Sequence, residues 1–124
     1  MDVTIMVKKL GNVWKLSEKE IERSILQYLS VRGDIEVWKV NTIGVFDPIT
    51  KKFRRPNSPF IRKGISDILG IILGGRFLAI EVKTPQRRNQ LSPEQLCFIT
   101  MINNMGGLAF VATSIEDVKG KLNG

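Results

Sequence analysis

The sequence predicts an α/β fold: a small mixed β-sheet flanked by helices. Three observations predict it. Two apolar stripes at helical spacing follow serine N-cap signatures at Ser17 and Ser92. Two apolar runs, Asp67–Leu73 and Arg76–Lys83, meet at Gly74-Gly75, which is a hairpin signal. The order along the chain is helix, strands, helix, strand, helix, and such an order packs as helices against a sheet.

Met1–Trp14 reads equally as a strand or an irregular arm. Ser17-Glu18-Lys19-Glu20 is a capping-box pattern, and Ile21, Ile25, Leu26 and Leu29 recur behind it until Gly33 supplies the stop. Glu36–Phe46 is rich in Val, Ile, Trp and Thr and reads as a strand or hairpin. Asp47–Gly64 carries three prolines without periodicity and reads as a long basic loop. After the glycine hairpin and the polar loop Thr84–Gln90, Ser92-Pro93-Glu94-Gln95 starts a second helix with Pro at its first position. Its apolar residues are Leu96, Ile99, Met101 and Ile102, and Gly106-Gly107 ends it. Cys97, among apolar neighbours, is expected in the core, and Trp38 in the core or at its rim. Leu108–Ala112 is a short buried strand, and Ser114 caps a final helix running to about Leu122.

The 124 residues make one domain over 1–124, with 43% hydrophobic and 25% charged residues, an ordinary globular balance. No apolar run approaches the roughly 20 residues of a membrane span. The N-terminus is too short and too weakly apolar for a signal peptide. The chain has no histidine, which excludes Ser-His-Asp and Cys-His nucleophile systems and histidine-ligated zinc. Its single cysteine excludes an internal disulfide and fits a reducing cytoplasm. Catalysis would have to run on carboxylates, amines, hydroxyls and bound metal. The net charge of +7 points to a polyanionic partner, most simply nucleic acid.

The chemistry concentrates in Gly64-Ile65-Ser66-Asp67 and Glu81-Val82-Lys83. Strand alternation sends Phe77, Ala79, Glu81 and Lys83 to one face and Leu78, Ile80 and Val82 to the other. A carboxylate on an apolar central strand is costly unless paired or coordinated. Asp67 and Glu81 suit a Mg²⁺ ion, which takes few protein carboxylates and keeps several waters. Lys83 would orient or deprotonate such a water, or stabilise negative charge. A plain two-residue turn would pair Leu73 with Arg76 and send Asp67 to the face opposite Glu81. Convergence therefore requires a three-residue loop, Leu73-Gly74-Gly75 with Gly75 left-handed, or a bulge. The competing reading of Asp67, Glu81 and Lys83 is a structural ion-pair network.

Asp67 followed by Glu81-Val82-Lys83 resembles the core of the PD-(D/E)xK nucleases. The blocks GISDILG, GRFLAIEVKTP, LSPEQLCFI and GGLAFVA resemble the VRR-NUC branch, and more distantly archaeal Holliday-junction resolvases, from about Ser17 to Val118. Ser66 stands where the motif has proline, at a position that supports the turn before Asp67. The resemblance implies a restriction-endonuclease-like core and a glutamate on the first helix at the metal. Glu22 is the best match, with Glu18 one turn earlier in reserve. It also implies a metal contact from the Val82 carbonyl and a place for Gln95 beside the active site, although a capping box explains Gln95 equally well.

Lys51, Lys52, Arg54, Arg55, Arg62 and Lys63 precede Asp67 without an acid between them, and Arg87 and Arg88 follow the other strand. Their ordinary reading is a solvated loop; beside a metal site they would track DNA phosphates. The expectation is a Mg²⁺- or Mn²⁺-dependent DNA endonuclease acting on branched or structured DNA, resembling stand-alone phage-type or prokaryotic VRR-NUC proteins that form homodimers. The rivals are a flap or single-strand nuclease, a restriction subunit, and a non-catalytic DNA-binding module.

Overall fold

A computed structural model describes residues 15–40, 45–54 and 58–123. The expectation for Met1–Trp14 falls outside these residues, as does the stretch 41–44. Helix α1 spans Glu18–Ser30, β1 Ile35–Lys39, β2 Val45–Asp47, β3 Lys52–Arg54, β4 Ile68–Ile72 and β5 Arg76–Val82. A 3₁₀ turn at Pro85–Arg87 follows, then α2 over Pro93–Asn104, β6 over Leu108–Ala112 and α3 over Ile115–Asn123.

Helix α1 starts where Ser17 Oγ accepts a hydrogen bond from the Glu20 N–H at 3.2 Å. It buries Ile21, Ile25 and Leu29, one residue per turn. Each such side chain contributes roughly 1.5–3 kcal/mol by leaving water. The main sheet runs β1-β4-β5-β6; β1, β4 and β5 are antiparallel and β6 lies parallel to β5. Helix α2 makes the crossover that a parallel pair needs. Strand β5 is therefore central, and its residues Leu78–Val82 are buried on both faces.

Alternation along β5 divides the interior as the sequence predicts. Leu78, Ile80 and Val82 pack with Ile21, Ile25 and Leu29 of α1 and Val118 of α3. Ala79 packs on the opposite face with Phe98 and Ile102 of α2 and Ala109 of β6, and Phe77 packs against that group. Three layers result: α1 and α3, the sheet, and α2.

Two expectations need correction. Asp47–Gly64 is not loop throughout: β2 and β3 form a separate antiparallel pair with Phe46 opposite Phe53. The strand or hairpin expected over Glu36–Phe46 divides between two sheets, β1 in the main one and β2 in the small one. The turn of the small hairpin uses Lys51 at φ 56°, a left-handed conformation that no glycine marks in the sequence.

Candidate active site

The hairpin between β4 and β5 decides which residues can meet. Ile72 pairs with Arg76 and Ile68 with Ile80. The connection is thus the three-residue loop Leu73-Gly74-Gly75, and both glycines have positive φ, 100° and 91°. One step past Ile68, the same register sets Asp67 opposite Glu81, so both carboxylates lie on the α2 side of the sheet. The geometric condition for convergence is met.

Asp67 ends the approach to β4. Its carbonyl accepts the Val40 N–H at 2.9 Å and its Oδ2 accepts the Val82 N–H at 2.8 Å. Glu81 is 3% exposed. Its Oε1 accepts a hydrogen bond from Gln95 Nε2 at 2.8 Å and lies 3.8 Å from Lys83 Nζ. Lys83 Nζ also donates to Gln95 Oε1 at 3.4 Å. Gln95 Oε1 accepts the Ser92 N–H at 2.9 Å as well, and Ser92 Oγ accepts the Gln95 N–H at 3.1 Å. The two readings of Gln95 therefore hold together. It closes the capping box of α2 and, with the same side chain, ties Glu81 to Lys83.

The electrostatics are unbalanced. Burial, then the Asp67 charge, raises the Glu81 carboxyl to about 8, against the pull of Lys83. Burial likewise raises Asp67; the hydrogen bond from Val82 opposes this, and the charges of Glu22 and Glu18 reinforce it. Glu81 Oε2 is buried with no hydrogen-bond partner. A half-buried carboxylate, Asp67, and a buried one, Glu81, with an orphaned oxygen form a donor set that a small hard cation satisfies. The residues present thus fit a divalent ion. Among the described residues, no group of three or more acids, histidines or cysteines is arranged to hold a metal.

The first-helix glutamates divide their roles. Glu22 lies beside the buried stripe of α1, 14% exposed, with Oε1 at 3.0 Å from Lys39 Nζ on β1. Its charge reaches Asp67, whereas that of Glu18 reaches both Asp67 and Glu81. Val82 follows Glu81 at the end of β5 and is buried.

A cleft of about 480 Å³ opens over the two carboxylates between Arg62 and Lys63 on one side and Ser92 and Gln95 on the other. Gly64 also lines it. At φ 77°, a Cβ there would stand 2.3 Å from the Glu94 carbonyl carbon and 2.6 Å from the Gln95 nitrogen. The loop before Asp67 therefore presses main chain to main chain on the start of α2. Sequence reasoning gave Gly64 no such role, though its place at the head of the GISD block was the available signal.

The predicted cations scatter. Lys63 is exposed at the cleft wall. The Arg62 guanidinium lies 5.7 Å from the centroid of the Phe98 ring, with Nη2 4.0 Å from Cys97 Sγ. Lys51 is exposed at the small hairpin turn and Arg87 in the 3₁₀ turn. Lys52 and Arg54 belong to β3, and Arg55 lies outside the described residues. Arg88 is bound elsewhere than to the cleft carboxylates: its Nη2 donates to Thr113 Oγ1 at 2.7 Å and to Asp117 Oδ2 at 2.9 Å. Cys97 is exposed, not in the core, because only Phe98 and Ile102 of α2 face the sheet fully. Trp38, 43% exposed, stands on the edge strand β1.

The VRR-NUC domain family matches residues 49–116, more than half of the chain. The chain belongs to the VRR-NUC family. VRR-NUC domains are of the PD-(D/E)xK nuclease type, process DNA and generally depend on a divalent metal. The family match takes in Asp67, Glu81, Lys83 and Gln95 and begins after α1, so Glu22 stands outside it. A solved structure described as "VRR_NUC domain protein" is 19% identical with a TM-score of 0.56, covering 88% of this chain and 87% of that one. At that identity the likeness is one of fold. No match was found among curated proteins. No helix among the described residues of this VRR-NUC domain is long and apolar enough to cross a membrane.

Proposed function

We propose that this VRR-NUC domain is a metal-dependent DNA endonuclease that hydrolyses phosphodiester bonds in branched or otherwise structured DNA. The observation that carries the reading is Asp67 set opposite the buried Glu81, whose second carboxylate oxygen has no partner, beside Lys83. When bound by Asp67, Glu81, the Val82 carbonyl and Glu22, a Mg²⁺ or Mn²⁺ ion supplies a water of lowered pKa and neutralises phosphate charge.

The chain's own residues do the remaining work. Lys83 presents a fixed positive charge, steadied by Glu81 and Gln95, where it can orient a water or a phosphate oxygen. Gln95 holds Glu81 and Lys83 in one geometry, so neither searches rotamers during the reaction. Lys63 and the neighbouring cations bind backbone phosphates, which fixes the DNA without reading its bases. Shape-based recognition of this kind favours branched DNA over a sequence site. A homodimer would place two such centres on a two-fold substrate such as a four-way junction.

The test is cleavage of a panel of junction, flap, single-stranded and linear duplex DNA with and without Mn²⁺, using the wild type and Asp67→Ala. The expected outcome is metal-dependent cutting of a branched substrate, abolished in the variant while DNA binding largely persists. Undiminished cutting by Asp67→Ala overturns the assignment of the site. The panel also separates a flap or single-strand nuclease, or a restriction-type cut of linear duplex, from the junction reading.

A further inference from the structure

Phe60 is used by nothing described so far. Its ring is 94% exposed. The turn that carries it is braced: Ser58 Oγ accepts the Phe60 N–H at 3.2 Å, and the Ser58 carbonyl accepts the Ile61 N–H at 3.2 Å. Pro59 between them fixes its own φ. A phenyl ring held in water by a stiff turn adds nothing to the core, and its rotamer entropy is low when it meets a flat partner.

The surroundings say what that partner is. Pro59 and Phe60 form one wall of a second cleft of about 490 Å³, whose other wall is the start of α2 at Pro93, Glu94 and Cys97. This cleft shares Ile61, Arg62, Lys63 and Glu94 with the cleft over Asp67 and Glu81. The two clefts therefore adjoin, with Arg62, Lys63 and Glu94 at their common edge, the carboxylates on one side and an exposed aromatic face on the other. A polynucleotide matches that order, with a charged backbone for the cations and a planar apolar base for the ring. Bases inside a duplex have both faces covered by their neighbours, so only an unpaired or splayed base can reach a protein aromatic.

We propose that Phe60 is a stacking platform for one unpaired nucleobase next to the phosphate that is cut, and that it gives the enzyme its preference for DNA with an open strand. This inference rests on the nuclease reading of the Asp67 and Glu81 cleft. It names the substrate feature that this cleft selects: a base freed at a flap, a fork or an opened junction.

The experiment compares wild type, Phe60→Ala and Phe60→Trp on two DNAs of equal length, one fully paired and one with a short single-stranded arm carrying 2-aminopurine. Binding is measured in chelator and cutting in Mn²⁺. The expected result is a 2-aminopurine fluorescence change with wild type and Phe60→Trp that Phe60→Ala loses. The ratio of affinities for open over paired DNA should fall about tenfold in Phe60→Ala, toward the lower end of what one stacked base contributes. Because the ring is exposed, thermal unfolding should be the same in all three. An unchanged ratio and fluorescence in Phe60→Ala, or an equal loss on both DNAs, overturns the proposal. Should wild type bind open DNA through Phe60 and yet cut nothing in Mn²⁺, the stacking site stands and the nuclease reading fails.

Discussion

Helices α2 and α3 both start at a serine whose Oγ accepts the N–H of the residue three places on, Gln95 from Ser92 and Asp117 from Ser114, each at 3.1 Å. In both, that third side chain reaches back to the main chain before the helix, Gln95 to the Ser92 N–H and Asp117 to the Thr113 N–H. From there the two corners diverge. Asp117 Oδ2 also accepts from Thr113 Oγ1 and from Arg88. Burial pushes its carboxyl up, but the hydrogen bonds from Thr113 and the Arg88 charge outweigh it and hold the group below its usual range. Gln95 instead passes its remaining capacity to Glu81 and Lys83, and there the charge does not close: Glu81 is held at about 8 with one oxygen unpartnered. The same capping grammar thus builds a satisfied structural corner and an unsatisfied chemical one. Incomplete satisfaction, and not the presence of polar groups, distinguishes the proposed site from the structural corner.

Glu81→Gln closes the open corner and should break the contrast most. Cutting is expected to fall roughly a thousandfold, in line with the loss of a charge-stabilising group. The metal-free variant should unfold at higher temperature than wild type, because a poorly compensated buried carboxylate is gone. Steady-state cleavage beside thermal melts in chelator reads both effects.

Gln95→Met separates the two roles of one side chain. Loss of its contacts to Glu81 and Lys83 should lower cutting about 10- to 100-fold, the usual cost of removing an outer partner of a metal site. Gln95→Glu keeps an acceptor for the Ser92 N–H and should restore the melting temperature. It should not restore cutting, because it sets a third negative charge against Glu81. Recovery of activity in Gln95→Glu would mean that the cap alone matters.

Asp117→Ala tests the satisfied corner. It removes the acceptor for Thr113 and Arg88, and the expected cost is about 2 kcal/mol of stability in urea denaturation. Cutting per folded molecule should change by less than about twofold, since the Asp117 side chain bonds Thr113 and Arg88 and none of Asp67, Glu81, Lys83 or Gln95.

The smallest expected effect is a difference in pH dependence. Glu81, raised in the fold, binds more protons native than unfolded between the usual carboxylate range and about 8, so metal-free stability should decline as pH rises through that window. Asp117, lowered in the fold, contributes stability that is complete above its unfolded value and disappears as acid carries the pH through its folded value. Urea melts in chelator should show both slopes. Glu81→Gln should flatten the first and Asp117→Ala the second.

Much of this architecture is legible in the sequence because it is written locally. Ser17, Ser92 and Ser114 announce the helices, Gly74-Gly75 the hairpin, and the alternation along β5 the two faces. The face constraint on Asp67 and Glu81 narrows the connection in advance to a three-residue loop or a bulge, and the loop is what the register shows. What escapes is what depends on distant partners or unmarked backbone. Arg88 reads as a free surface cation, and its pairing with Asp117, 29 residues on, is not legible from the chain. The turn at Lys51 has no glycine or asparagine to signal it. Leu96, Cys97, Phe98, Ile99, Met101 and Ile102 crowd α2 with apolar groups nearly all round, so its pattern could not show that Cys97 faces out. Glu22 illustrates the same limit, since its pairing with Lys39 joins two elements that the sequence keeps separate.

The contact at Gly64 sets how this cleft can change over evolutionary time. There the lining is main chain against main chain, with a Cβ excluded by Glu94 and Gln95. A side chain at position 64 has no room at this contact. The rim at Ile61, Arg62 and Lys63 is made of side chains and can vary. Side-chain changes at the rim are therefore compatible with the spacing between the helix start and Asp67, whereas a side chain at position 64 is not. An engineer wishing to retarget the domain should edit the rim and leave the glycine alone.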